Sequence, residues 1–86
     1  MYFRLAETRY NVTVTNGTPG SEAYVTITGA GQKIEGETFT LSATYTTPYI
    51  ACHWYLDGVE VASTDDYTYR NIQRDLNFVI YFDYNG

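Results

Sequence analysis

The stretch Tyr49–Val61, YIACHWYLDGVEV, decides how the rest of the chain is read. Ile50, Cys52, Trp54 and Leu56 occupy alternate positions, so an extended strand carries them on one face, with the only tryptophan in the middle. Asp57-Gly58 supplies two residues that tolerate the positive φ angles of a two-residue hairpin turn. Val59 and Val61 resume the alternation on the returning strand. The reading is a β-hairpin whose inward face, Trp54 and Cys52 included, belongs to the core.

The same periodicity extends in both directions. On the N-terminal side, Tyr10, Val12 and Val14 alternate with polar residues up to a turn at Asn16-Gly17 that continues through Pro19-Gly20. Ala23–Thr28 returns with Val25 and Ile27 inward. A loop carrying Gly29, Gly31 and Gly36 leads to Thr38–Tyr45, where Phe39, Leu41, Ala43 and Tyr45 face in and the threonines and serine face out. Past the hairpin, Thr64-Asp65-Asp66 is a turn before a strand carrying Tyr67 and Tyr69, with Ile72 as a further candidate. The final strand, Leu76–Phe82, has Leu76, Phe78, Ile80 and Phe82 on one side and Val79 and Tyr81 on the other, which predicts a central position. Tyr2–Leu5 reads either as an edge strand or as a plain lead-in. The chain is thus expected to be one module over residues 1–86, with residues 1–9 as lead-in and 10–82 as the core. Its fold is all-β without a helix: a small antiparallel β-sandwich, immunoglobulin-like, or an open barrel, of about seven short strands.

Composition narrows the function classes. The chain has 86 residues, room for one domain, and thirteen threonines and ten tyrosines suit strands. Its net charge of −5 has the wrong sign for a phosphate backbone, so nucleic acid is not an expected partner. No apolar run reaches the roughly 20 residues of a membrane span, and the first ten residues lack the apolar centre of a signal peptide. A lone cysteine, Cys52, excludes an internal disulfide and is expected to be an inert core thiol.

Along Tyr10–Phe82 a series of landmarks occurs in order. The chain has Tyr10-Asn11-Val12-Thr13-Val14, the segment Val25–Ala43, Tyr49 ahead of Trp54, the Asp57-Gly58 turn, Val61-Ala62-Ser63, Tyr67-Thr68-Tyr69, and Asp75 followed by a strand closing on Phe82. In this the chain resembles the internalin-type B-repeat, a small β module of bacterial surface proteins. It departs from that pattern at His53 and Pro48, where the repeat has glycine, and in a 69–75 segment one residue longer, read as a β-bulge. The resemblance implies an extracellular module used for adhesion or as a spacer. Locally, HWYLDGVEV is also similar to the tryptophan strand and turn of antibody constant domains, although one cysteine cannot form their inter-sheet pair.

Chemistry-bearing residues are few. His53 is the only histidine and lies opposite Trp54 in the alternation. No serine or cysteine sits in a nucleophile elbow, a zinc site needs three or four ligands, and Asp57, Asp65, Asp66 and Asp75 lack the spacing of a calcium loop. No catalytic residue, metal or cofactor is therefore expected. Lys33 and Asn77 form a conceivable isopeptide pair, and Asn11 and Asn16 each begin a glycosylation sequon, better explained at Asn16-Gly17 by a turn. The alternation sends Tyr24, Tyr55, Tyr81 and Tyr84 away from the core centred on Trp54, Cys52, Leu41, Phe39, Phe78 and Phe82. These four tyrosines and His53 are the candidate binding residues.

The expected function is that of a non-catalytic structural or interaction module displayed on a surface. Either it is a phage virion accessory protein, such as a capsid decoration or fibre component, or it is a bacterial surface adhesion module. Its partner is then a protein of a larger assembly. A single module that starts at Met1 without an export signal reaches the outside if it rides on a virus released by lysis. The alternative is a carbohydrate-binding module that uses the outward tyrosines.

Overall fold

The computed structural model describes residues 8–85, so Tyr2–Leu5 lies outside the described residues. Eight strands follow one another: β1 (Arg9–Asn16), β2 (Val25–Thr28), β3 (Gly31–Ile34), β4 (Phe39–Tyr45), β5 (Tyr49–Leu56), β6 (Val59–Ala62), β7 (Asp66–Tyr69) and β8 (Leu76–Tyr84). Among the described residues they form a five-stranded sheet ordered β3-β1-β8-β5-β6 and a three-stranded sheet ordered β2-β4-β7, with no helix. Neither sheet closes on itself, and the fold is a small all-β sandwich.

The core lies between the sheets and is built by the alternation just described. Phe39, Leu41 and Ala43 of β4 face Leu76, Phe78, Ile80 and Phe82 of β8, with Cys52 and Trp54 of β5 and Val12 of β1 beside them; all are buried. Phe78 sits edge-on to Tyr67 and Tyr69, with ring centroids 5.7 and 6.3 Å apart. Aromatic pairs in this geometry add to the stabilisation from area burial alone.

The indole of Trp54 is sealed but not left unsatisfied. Its Nε1–H donates to the carbonyl oxygen of Thr64 at 2.8 Å, and the Cys52 thiol donates to the same oxygen at 3.2 Å. Thr64 lies between β6 and β7, where the chain crosses from the larger sheet to the smaller, so two core side chains of β5 hold the crossing in place. Burial, reinforced by the nearby Asp65 carboxylate, pushes the Cys52 thiol up to about 11, which keeps it protonated as a donor.

Several sequence expectations change in detail. The region of Gly31 contains a strand, β3, which pairs antiparallel with β1 and brings the total to eight. One pairing is parallel: β1 runs alongside β8, with Val12 opposite Leu76 and Asn16 opposite Ile80. β8 is central, flanked by β1 and β5.

Ile50 is not in the core. An extra residue in β5 shifts the register between Tyr49 and Ala51, so Tyr49 is buried and Ile50 is 58% exposed. A second shift, at Trp54/Tyr55, places Ala62 opposite Trp54; Val59 pairs with Leu56 at the hairpin tip and is 64% exposed, while Val61 is half-buried.

The longer 69–75 segment is a loop and not a β-bulge: β7 ends at Tyr69, β8 begins at Leu76, and the β4–β7 register up to Tyr69 has no shift. Asn71 adopts a positive φ of 59°, and Ile72 enters the core completely, its backbone bonded to Gly36 and Glu37. Lys33 and Asn77 are on opposite faces. Lys33 pairs with Tyr10 and lies over the Phe39 ring, whereas Asn77 pairs with Thr13, three residues on, and accepts its hydroxyl; no isopeptide can join them. Asn16 is engaged through both side-chain atoms, by the buried Ser21 hydroxyl and the Thr18 amide, and belongs to a turn.

Candidate functional site: the outer face of the five-stranded sheet

Directly paired residues in a sheet share a face. Tyr55 lies opposite Val79 on one side and Glu60 on the other, His53 lies opposite Tyr81, and Ala51 lies opposite Asp83. The outward positions of β5, β6 and β8 therefore gather Tyr55, Tyr81, Val79, His53, Glu60 and Asp83 on one surface. Three of the five candidate binding residues, Tyr55, Tyr81 and His53, meet here.

The two tyrosines form an edge-to-face pair with ring centroids 5.2 Å apart and planes at 85°. Tyr81 is also held from its other side. The amide of Gly17 extends the β1–β8 ladder by donating to the Ile80 carbonyl at 2.7 Å, which places Gly17 next to Tyr81. A Cβ on Gly17 would come within 2.6 Å of the Tyr81 ring, so the ring lies over the glycine as no other residue there would allow. Tyr81 is nonetheless 43% exposed. Its ring packs against Gly17 and Tyr55 of its own chain and is open to solvent. Beside it, Tyr55, Gly58, Val79 and Tyr81 line a groove of about 360 Å³.

His53, opposite Tyr81 on β5, bridges two acids. Its Nδ1 is 2.7 Å from Glu60 Oε2 and its Nε2 is 3.0 Å from Asp83 Oδ2. When protonated, the ring donates to both. The trio is a chain of ion pairs and not a metal cage, since the two ring nitrogens point to opposite sides, each at its own carboxylate. The hydrogen bond to Asp83, then that to Glu60, raises the histidine above its ordinary 6.5, against the smaller opposing effect of partial burial.

A group with a raised folded value contributes stability that is fully present below 6.5 and is lost as pH rises through the folded value. The expected outcome is that wild type exceeds His53→Gln in urea midpoint at about pH 6 and that this lead shrinks by about pH 9. A ring-proton titration midpoint at or below 6.5 would show the bridge to be ineffective.

The other two candidates lie elsewhere. Tyr24, in the turn before β2, and Tyr84, at the end of β8, both pack on Tyr49, with centroids at 5.8 and 5.6 Å. The alternation found exposed tyrosines but not that they divide into two groups.

Sequence reasoning also missed Glu60, Asp83 and Gly17. Glu60 was within reach, because a two-residue turn at Asp57-Gly58 sets it across from Tyr55 and diagonal to His53. Asp83 and Gly17 depend on how β8 pairs with β5 and β1, which no local signal gives. No family model matches the chain, and neither a curated protein nor a solved structure matches it.

Proposed function

We propose that this protein is a non-catalytic interaction module that works displayed on the surface of a larger particle or cell, and that the outer face of its five-stranded sheet meets the partner. Its setting is a phage virion, as a capsid decoration or fibre component, or a bacterial surface, as an adhesion module. The observation that carries the reading is the solvent-open ring of Tyr81 packed between Gly17 and Tyr55. A ring already packed on two sides has less conformational freedom to lose when a partner covers it, and tyrosine is among the residues most enriched at contact surfaces.

The surrounding chemistry supports contact more than catalysis. His53 is committed at both nitrogens to carboxylates, leaving neither free to act as a base at a substrate. Cys52 is buried, protonated and bonded to a carbonyl. The display setting draws on the likeness of Tyr10–Phe82 to the B-repeat of bacterial surface proteins.

The test is co-sedimentation of the purified protein with virions, or with intact bacterial cells, from the source of the gene. Wild type is expected to pellet with one of them and Tyr81→Ala to remain largely in the supernatant. Wild type that pellets with neither sinks the proposal.

A further inference from the structure

The two sheets end in four edge strands, and one of them lacks the usual protection against pairing with another chain. β3, β6 and β7 carry Lys33, Glu60 and Asp66, charges that deter a further strand. β2, Val25-Thr26-Ile27-Thr28, has no charge, no proline and no bulge in its register with β4. The gap is wider than the strand: residues 23–32 and the whole of β4 contain no charged side chain, on a chain of net charge −5. Among the described residues, no strand pairs with the outer side of β2.

The ladder with β4 fixes which backbone groups that side offers. Thr46 N–H donates to the Tyr24 carbonyl at 3.1 Å, so the main chain at Tyr24 is turned toward β4. In an antiparallel ladder successive residues turn their N–H and C=O to opposite sides. Thr26 and Thr28 are therefore turned to β4, opposite Thr44 and Ser42, while Val25 and Ile27 present their N–H and C=O groups to the open edge. Their side chains point the other way from those of the threonines, inward and half-buried against the core.

We infer that β2 pairs antiparallel with β2 of a second copy of this chain, across a two-fold axis at Thr26. An axis perpendicular to the sheet keeps the inward faces of both copies on one side, so it has to pass through a residue and not between two. Centred on Thr26, it sets Val25 opposite Ile27 of the second copy. All four open backbone groups on each strand then find partners, in four hydrogen bonds. Centred on Ile27, it would set Val25 opposite Gly29, whose φ of 102° has already left the strand. At the Thr26 axis two hydroxyls meet, a favourable cross-strand pair, and no like charges do. Self-pairing of β3, β6 or β7 would instead bring two copies of Lys33, Glu60 or Asp66 together. The joined sheet runs β7-β4-β2-β2-β4-β7 and turns both outer faces, with their Tyr81 rings, in the same direction. The pairing does not rest on the role given to those faces.

The experiment is sedimentation equilibrium of the full chain. A four-residue edge covers less than the roughly 1,200 Å² of stable interfaces, so a weak dimer is expected, with a Kd on the order of 100 µM. Two-chain mass is expected at about 1 mM and one-chain mass at about 1 µM, well above and well below that Kd. Thr26→Lys, which sets two cations against each other at the axis, is expected to weaken the dimer at least about tenfold. Thr68→Lys, on the far edge strand β7, is expected to leave it unchanged. Trp54 fluorescence reports that each variant is folded.

A second measurement reads the register. Residues facing each other as a non-hydrogen-bonded pair have Cα atoms about 4.5 Å apart, within disulfide reach. Thr26→Cys is expected to give a covalent dimer with oxidised glutathione, and Thr28→Cys, which faces Tyr24 of the second copy, is expected not to. The native Cys52 is buried and does not compete. A single-chain mass for wild type at about 1 mM overturns the inference. So does a dimer that survives Thr26→Lys, or cross-linking of Thr28→Cys as readily as Thr26→Cys.

Discussion

Replacing Trp54 by alanine is expected to lower the free energy of unfolding by about 3–5 kcal/mol, the usual cost of deleting a large aromatic from a closed core. Its side chain is completely buried, between β4 and β8 residues that are buried themselves and cannot follow the missing ring. The substitution also withdraws the donor at 2.8 Å from the Thr64 carbonyl and leaves that oxygen to the weaker thiol of Cys52. Because Thr64 is where the chain passes from one sheet to the other, the loss bears on how the sheets are joined. A domain of 86 residues has about 4–13 kcal/mol in total, so this single change removes a large share of it. Urea denaturation followed by circular dichroism measures it. Trp54→Phe, which retains most of the ring, is expected to lose clearly less. A loss below about 1 kcal/mol in Trp54→Ala would mean that the ring is not enclosed.

What the sequence disclosed follows from which forces are local. β4 could be read because alternation over Phe39–Tyr45 has one explanation, a strand with one buried face. The hairpin could be read because Asp57 and Gly58 both adopt positive φ, 54° and 80°, as a two-residue turn requires. β3 could not: Gly31-Gln32-Lys33-Ile34 has no hydrophobic period and is a strand only because β1 offers it an edge. Nor could the buried or exposed fate of Ile50, which is fixed by one extra residue in β5 relative to β8. A bulge reverses the facing of what lies beyond it, so a pattern read from Trp54 backwards fails at that point.

The candidate site divides along the same line. Tyr55 and His53 were legible as outward positions of the tryptophan strand, and Tyr81 as the outward side of a central one. Their assembly was not. It depends on β8 entering between β1 and β5, with β1 parallel to it, so that Gly17 arrives beneath the ring of Tyr81. The parallel pairing joins residues more than sixty positions apart, and nothing near Gly17 announces it.

Gly29→Ala is the other substitution expected to damage the fold severely, by about 2–5 kcal/mol, through backbone and not side-chain contacts. Gly29 follows β2 directly and has a φ of 102°, a conformation that residues with a Cβ rarely adopt. The added methyl would also overlap the carbonyl oxygen of Thr40 and lie 3.0 Å from Leu41 Cα. Neither atom can rotate away, since both belong to the main chain of β4, the middle strand of its sheet, with β2 on one side and β7 on the other. Relief would require β2 to separate from β4 where Thr28 pairs with Ser42, one residue away, or would displace Leu41 from the core. Gly20→Ala provides the comparison: its φ is 89°, but the new Cβ would meet nothing within 4 Å. It should carry only the conformational cost of about 1 kcal/mol. The difference between the two variants in urea midpoint isolates the clash with β4. If Gly29→Ala proved no more destabilising than Gly20→Ala, the close approach of Gly29 to Thr40 would be refuted, and with it the register that joins β2 to the three-stranded sheet.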